Sequence, residues 1–261
     1  MVISVINNKG GTGKTSIAVN LAAALANSGY RVLLIDLDSQ ASAAFYLGVL
    51  RNELQPSIAD VLFDELPMTK ASRKTDIQGL ELVTGGMELA HSDLVLADVV
   101  GREDCLIKAI KPIRNKYNFI ICDCSPSLST LSVNALVASD YYIVPITPQY
   151  LALEGLISLM DAVGKIKKGM GMSAELLGIV INMVSTVSQQ TKSQAEIIDI
   201  VQEHYGEAVF TNFIKRYAKL EEAPAYGRSI FEYAPKSPAA LQYSMLAQEM
   251  LNRCGIVDKA R

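Results

Sequence analysis

The sequence lacks the features that mark several classes of protein. Its 261 residues carry a formal net charge of −3 with an isoelectric point near 5.5, which excludes a surface coated in positive charge. Any nucleic-acid binding must therefore come from a local patch. No apolar run approaches the roughly 18 residues that would suggest a membrane span. The four cysteines do not form two pairs at the spacing of zinc ligands, and no pair of histidines has that spacing. No zinc site is therefore predicted.

Linkers rich in Pro, Gly or Ser are missing as well, and so are internal repeats and low-complexity tracts. Half of the residues are hydrophobic, which is ample for a sizeable buried core. We therefore predict one domain over residues 1–261. The few cysteines and the absence of a signal-peptide pattern predict a cytoplasmic protein.

The most informative stretch is Asn-Lys-Gly-Gly-Thr-Gly-Lys-Thr at residues 8–15. It follows an apolar run at 2–6 and opens an amphipathic stretch at 16–27. This is the strand, loop and helix order in which backbone N–H groups and a helix N-terminus bind phosphate oxygens. Lys14 supplies a charge for the β- and γ-phosphates, and the Thr15 hydroxyl is placed to hold Mg²⁺. The sequence therefore predicts a nucleotide site.

The loop departs from the ordinary P-loop pattern in one respect. That pattern has glycine where this chain has Asn8, and a second lysine, Lys9, follows it. The alternative, a glycine-rich turn that serves only tight packing, is disfavoured by the flanking strand and helix.

Acidic residues follow two apolar runs of strand length. The run at 31–36 ends in Asp36, with Asp38 two residues later, and the run at 118–122 is followed by Asp123. Ligands of open α/β sheets bind at the carboxyl ends of the strands. We therefore expect these acids to hold the water around Mg²⁺ and to orient an attacking water, rather than to be solvated loop acids.

The remaining periodicity predicts an α/β fold, a doubly wound and mostly parallel sheet with helices on both faces. Pro112 is expected to bend or end the helix that contains it. The predicted strands are 2–6, 31–36, 79–84, 118–122, 141–147, 176–182 and a shorter one near 209–214. The predicted helices are 16–27, 57–63, 104–117, 151–168, 189–205 and 239–253.

A basic cluster late in the chain comprises Lys215, Arg216, Lys219 and Arg228. It has two interpretations from sequence, a solvated rim or a patch that contacts DNA phosphates. The final helix carries Tyr243, Leu246 and Met250 on one stripe. Its end, residues 252–259, lacks the apolar face with several basic residues that a membrane-targeting tail needs, so core packing is predicted.

These features together resemble the deviant-Walker-A ATPases, and within them the small ParA/Soj type. The resemblance extends over almost the whole chain in the family's order and implies a P-loop fold, ATP and Mg²⁺ as cofactors, and an ATP-sandwich homodimer. The matching segments are NKGGTGKT (8–15), DLDSQ (36–40), IICDCSPSL (120–128), LALEG (151–155), LEEAPAYG (220–227) and SPAALQY (237–243).

The resemblance also assigns roles to residues of this chain. Lys9 is the signature lysine that reaches across the dimer to phosphate, Lys14 is the Walker lysine, and Asp38 orients the hydrolytic water. The metal is held by Thr15, with Asp36 and Asp123 supporting it through water. The other nucleotide contacts that the resemblance implies are Gly10, Gly11, Thr12, Gly13 and Ser16 of the loop, Glu154 across the dimer, and Asn182 at the adenine.

Proteins of this type position cargo: their ATP-bound dimer binds nucleoid DNA without sequence preference, and a ParB-like or centromere-binding partner stimulates hydrolysis and release. The resemblance therefore implies nucleoid association, the basic cluster as the DNA contact and no membrane partner. No helix-turn-helix precedes residue 1, so the match is to the short form without a repressor domain. Two alternatives remain open, a MinD-like division regulator on the membrane and an ATPase that positions a protein organelle. A third, a metallocluster enzyme such as the nitrogenase iron protein, is disfavoured by the context of Cys105, Cys122 and Cys124.

The chain departs from its relatives in three places. Ser125 stands where proline is frequent, Lys215 replaces the proline usual before Arg216, and the loop at 185–190 lacks a common arginine. These departures bear on the loop after Asp123 and on part of the DNA surface.

Overall fold

The computed structural model describes residues 1–170, 172–185 and 191–256. Its strands are β1 (Val2–Val5), β2 (Val32–Leu37), β3 (Arg73–Lys74), β4 (Leu80–Val83), β5 (Phe119–Cys124), β6 (Tyr141–Ile146) and β7 (Glu175–Ile181). Its α-helices are α1 (Lys14–Asn27), α2 (Ser42–Tyr46), α3 (Ile58–Phe63), α4 (Met68–Ala71), α5 (Ser92–Val95), α6 (Cys105–Ile110), α7 (Thr130–Ala138), α8 (Tyr150–Met170), α9 (Lys192–Tyr205), α10 (Ala218–Glu222), α11 (Ile230–Tyr233) and α12 (Pro238–Arg253).

The seven strands form one sheet in the order β3-β4-β2-β5-β1-β6-β7. All neighbouring pairs are parallel except the short edge strand β3, which runs antiparallel to β4. The central strands β2, β5 and β1 therefore bring their carboxyl ends to one edge, where an open α/β sheet binds its ligand.

The sheet is covered on both faces, which confirms the predicted doubly wound α/β fold. Alternate residues of β2 point to opposite faces: Leu33 and Ile35 join one apolar cluster, and Val32 and Leu34 join the other. The first cluster includes residues of α3, α4, α6, α7, α8 and α9, and the second includes residues of α1, α2, α11 and α12. Because both faces are buried, the strands read as continuous apolar runs rather than alternating ones.

The predicted strand at 209–214 is wrong. This segment meets β7 at one isolated bridge, Ile179 with Val209, and a second bridge, Val184 with Lys215, lies just after it. The backbone N–H groups of Thr211 and Asn212 donate instead to the carboxylate of Glu249, at 2.8 and 3.1 Å. A carboxylate is the stronger acceptor, and it draws the backbone out of the ladder between the two bridges.

Other predictions are confirmed or refined in detail. The helix predicted at 104–117 is shorter: α6 ends at Ile110, and Pro112 lies in the turn that follows, as its missing N–H requires. The predicted core stripe of α12 is fully buried at Tyr243, Leu246 and Met250. β5 continues past Cys122, so Asp123 lies inside the strand rather than after it.

Two sequence observations lie largely outside the described residues. They are the missing arginine of the loop at 185–190, of which 186–190 are not described, and the last part of the tail at 252–259. Among the helices that the structure describes, none combines the length and the apolarity needed to cross a bilayer.

Candidate active site

The loop between β1 and α1 is shaped to receive an anion. Gly11 and Gly13 adopt φ of +73° and +85°, values that side chains rarely tolerate. Gly13 is the N-cap of α1 and offers no side chain to the first-turn N–H groups, which leaves them available to phosphate oxygens. A Cβ on Gly13 would also lie 2.1 Å from the Asn182 amide nitrogen. Glycine is therefore required at this position for two reasons, the positive φ and this close approach.

The two lysines of the loop have different environments. Lys14 is 6 % exposed, and its Nζ donates to the carbonyl oxygen of Lys9 at 3.0 Å. Burial lowers the pKa of Lys14, against the raising effect of the nearby Asp123 charge. The Lys9 side chain is half-buried and makes no salt bridge among the described residues. Lys14 is therefore held against the loop, whereas the Lys9 ammonium has no acidic partner in the described part of the chain.

Asp36 organises the loop after β2. Its Oδ1 accepts a hydrogen bond from the N–H of Asp38 at 3.0 Å, and its Oδ2 accepts from the N–H groups of Ala43 and Ala44 at 3.0 and 3.2 Å. The carboxylate thus serves the first turn of α2, where negative charge is stabilised. Burial nonetheless raises the pKa of Asp36 to about 7. Asp36 is in a position to fix Asp38 as well as to support a metal.

The Asp38 loop is also confined from the neighbouring strand end. Gly85 follows β4, and a Cβ built on it would lie 2.2 Å from the carbonyl oxygen of Asp38 and 3.1 Å from Cγ of Asp36. The Asp38 carboxylate accepts a hydrogen bond from the N–H of Gln40 at 2.9 Å. The side chain that is predicted to orient water is therefore positioned by backbone contacts on two sides.

Asp123 is fully buried, and neither carboxylate oxygen has a hydrogen-bond partner within the described ranges. Burial, and next the negative charge of Asp36, hold the pKa of Asp123 well above its usual range. The Thr15 hydroxyl opposes that rise without meeting hydrogen-bond geometry. Orphaned carboxylate oxygens of this kind fit a hydrated Mg²⁺, which prefers oxygen ligands and keeps several waters. The described residues hold no cluster of three or more His, Cys, Asp or Glu that would bind a metal without help, in keeping with a cation held mainly by substrate and water.

Comparison with known proteins agrees with this geometry. Residues 1–177 match a family model described as an AAA domain. The chain is 34 % identical over 249 residues to the sporulation initiation inhibitor protein Soj of Bacillus subtilis, covering 95 % of this chain and 97 % of Soj. It is 34 % identical over 254 residues to the chromosome partitioning protein ParA of Caulobacter vibrioides, covering 97 % and 94 %. The chain belongs to the ParA/Soj family of P-loop ATPases.

A solved structure supports the same fold. Cobyrinic acid a,c-diamide synthase of Mycobacterium smegmatis, described with bound ADP and magnesium, superposes with a TM-score of 0.84. It is 28 % identical to this chain and covers 97 % of it, with 95 % of the synthase covered in turn. Its nucleotide and metal are those expected of the ParA/Soj family from the residues above.

Asn182 and Glu154, which the resemblance assigns to nucleotide contacts, lie outside the loop but near it. Asn182 is buried, its amide nitrogen donates to the Thr12 carbonyl oxygen at 2.8 Å, and its oxygen accepts from the Met183 N–H at 2.9 Å. The amide nitrogen thus braces the phosphate loop, a role that sequence reasoning missed, while the bond from Met183 fixes the orientation of the amide. Adenine recognition stays a prediction. Glu154 is exposed on α8, next to a glycine whose Cβ would lie 3.9 Å from Asn8 Oδ1.

Two of the four basic residues that are expected to contact DNA lie beside acidic side chains. Arg216 lines a cavity of about 170 Å³ with Lys9 and the loop glycines, and its Nε lies 3.5 Å from Glu221. Lys219 Nζ lies 3.6 Å from Glu222. Lys215 is half-buried, and Arg228 is exposed with no ion pair among the described residues. These ion pairs are exposed and therefore weak.

Two residues that sequence reasoning did not single out complete the site. The Asn7 amide donates to the Pro145 carbonyl oxygen at 2.7 Å, and its oxygen accepts from the Lys9 N–H at 2.9 Å. Asn7 thereby ties the phosphate loop to β6. Gly85 is the second. Its strand end was visible in the sequence, but its approach to Asp38 depends on the sheet order, which sequence periodicity does not give.

Proposed function

We propose that this protein is a DNA-dependent partitioning or positioning ATPase, in which Mg-ATP drives formation of a sandwich dimer that binds DNA without sequence preference. Membership of the ParA/Soj family supports the class. The observation that carries the proposal is the pair of lysines in one loop, with Lys14 buried against the loop and Lys9 without a salt bridge among the described residues. A second lysine in the same loop suits the phosphates of a nucleotide held by a second copy.

The surface beside the loop supports the dimer. α8 begins there with Tyr150 and Leu151, which are 66 % and 69 % exposed. Large apolar side chains this exposed beside a nucleotide site mark an interaction surface. Glu154, one turn along α8, is also exposed, and we assign to it the contact with nucleotide across the dimer.

We assign hydrolysis to residues of the phosphate loop and to the acids at the carboxyl ends of β2 and β5. Lys14 and the N–H groups at the start of α1 bind the phosphates, and Asp38 orients the attacking water. Thr15, Asp123 and Asp36 would hold hydrated Mg²⁺, which neutralises charge on the β- and γ-oxygens. Asp36 also fixes the Asp38 backbone through the 3.0 Å hydrogen bond.

DNA binding and release complete the proposed cycle. Lys215, Arg216, Lys219 and Arg228 contact phosphates in the dimer, where two copies of a weak patch act together. A ParB-like partner protein stimulates hydrolysis and so returns the protein to its weakly binding state. The MinD-like alternative is less well supported, because the apolar stripe of the last helix is buried in the core.

Sedimentation with matched nucleotides tests the proposed dimer. The wild type is expected to sediment as a dimer with Mg-ATP and as a monomer with Mg-ADP. Lys9→Ala is expected to bind ATP and remain monomeric, whereas Lys14→Ala loses ATP binding because the main phosphate charge is removed. A Lys9→Ala protein that dimerised with ATP as the wild type does would contradict the assignment of Lys9.

A further inference from the structure

A long groove lies away from the nucleotide site, between α3 and α4 on one side and α5 and α6 on the other. Its main section has a volume of about 800 Å³ and is lined mostly by apolar side chains. Val95 and Val99 on its rim are 49 % and 43 % exposed, and the adjoining Val100 is 96 % exposed. Apolar residues of this exposure in one place indicate a surface that another molecule covers.

The groove changes character at one end. Thr69 and Lys116 line the apolar section and also a second cavity of about 650 Å³, so the two sections adjoin. Three basic residues, Arg31, Lys74 and Lys116, line the second section from three separate segments of the chain. None of these three cations forms a salt bridge within the described residues.

The second section carries little compensating negative charge. Glu81 is the one acidic residue in its lining, and its carboxylate accepts a hydrogen bond from the Tyr117 hydroxyl at 2.6 Å. The section therefore has an excess of positive charge next to an apolar trough. A ligand complementary to the two sections would place apolar groups in the apolar section and negative charge in the second one.

The wall of the groove is joined to the helix that follows the Asp123 loop. Asp93 at the start of α5 accepts a hydrogen bond from the N–H of Thr130, the first residue of α7, at 3.0 Å. The Asn134 side chain, on α7, accepts from the N–H of Leu106 at 3.0 Å and donates to the carbonyl oxygen of Arg102 at 2.7 Å. Displacing α5 or α6 thus acts on α7, and through α7 on the loop that leaves Asp123.

We propose that this groove binds an amphipathic segment of a partner protein, with apolar residues at helical spacing followed by a run of Asp or Glu. The apolar residues pack between α3 and α6, and the acidic run lies beside Arg31, Lys74 and Lys116. In this mode of binding a helix lies in an apolar groove, and its acidic run is attracted to the basic residues at one end. Binding moves the α5 and α6 wall and thereby changes the rate of ATP hydrolysis. The proposal needs the ATPase activity but not DNA binding or the dimer.

Peptide display on the full chain tests the groove directly. A library of random 15-residue peptides is selected on the wild type and counter-selected on Val99→Asp/Lys116→Glu. The matched control is Leu241→Asp/Lys236→Glu, which makes the same two changes at exposed positions of another face. All four side chains are exposed, so the melting temperature of both variants should stay near that of the wild type.

The selected peptides are expected to carry spaced Leu, Ile, Val or Phe residues with acidic residues at one end. By fluorescence anisotropy they should bind the groove variant about tenfold more weakly or worse, and the control variant as the wild type. Exchanging Glu for Lys in the peptide should restore part of the affinity for Lys116→Glu. Peptides without acidic bias, equal binding to both variants, or no enrichment after counter-selection would overturn the proposal.

Two further readouts separate other occupants. The first is sedimentation without peptide. If the wild type self-associates and the groove variant does not, the groove binds a second copy and the proposal is overturned. The second is flotation with anionic vesicles. If the protein floats with the vesicles and this binding depends on Val99, the groove binds a membrane and the proposal is likewise overturned. An ATPase rate unchanged by saturating peptide would overturn the coupling through α7.

Discussion

Replacing Gly85 with alanine should damage catalysis without damaging nucleotide binding. The added Cβ would lie 2.2 Å from the Asp38 carbonyl oxygen, and the Asp38 loop must move by about 1 Å to reach an ordinary contact distance. A displacement of that size in a positioning residue costs about 100-fold in rate, or about 2.7 kcal/mol in activation free energy. Gly85 is not in the phosphate loop, so the affinity for ATP should change little.

Gly86→Ala is the matched control for this prediction. The nearest atom to its new Cβ is the end of the flexible Glu88 side chain, at 2.6 Å, which can rotate away. ATP hydrolysis is measured at saturating Mg-ATP, with nucleotide affinity from a fluorescent analogue and the melting temperature as a check on folding. Wild-type turnover in Gly85→Ala would refute the view that the Asp38 backbone must stay where the structure holds it. Equal loss in Gly86→Ala would refute the steric reasoning.

Two other predictions follow from the acids. Asp38→Ala should bind Mg-ATP and accumulate as a long-lived dimer without turnover, because the Asp38 carboxylate orients water and does not hold the nucleotide. A wild-type rate for this variant in single-turnover assays would contradict this prediction. Without Mg²⁺, stability should fall as pH rises from about 5 to about 7. In that window the unfolded Asp36 has lost its proton, while the folded one, with its pKa raised to about 7, retains it. Thermal melts of Asp36→Asn should show a shallower slope, and an identical slope would assign the effect elsewhere.

The sequence predicted those parts of the fold that depend on local pattern. The glycine loop, α1 and the buried strands were predictable because glycine spacing and apolar runs are visible without tertiary contacts. α7 was not predicted, because TLSVNALVA has no polar face: Ser132 and Asn134 are buried with the apolar residues. The short edge strand β3 has only Arg73 and Lys74, too few residues to show a period.

The site was predictable in composition but less so in arrangement. The acids were found because each ends or closes an apolar run. The sequence did not predict the contact of Asp36 with N–H groups seven and eight residues later, nor the bracing of the phosphate loop by Asn182. Both are contacts between a side chain and a distant backbone, and they depend on how the chain folds back. The failed strand at 209–214 has the same cause, since Glu249 lies on the last helix.

The central claim is that nucleotide controls DNA binding through the dimer. Gel shifts or filter binding with several unrelated duplexes, at two salt concentrations, test it most directly. Affinity should appear with ATP, vanish with ADP, fall with a log–log salt slope of about −0.9 per phosphate contact, and not depend on sequence. Arg216→Ala or Lys219→Ala should weaken binding to every duplex alike, with dimerisation intact. Equal binding with ADP and ATP, or strong preference for one duplex, would contradict the account.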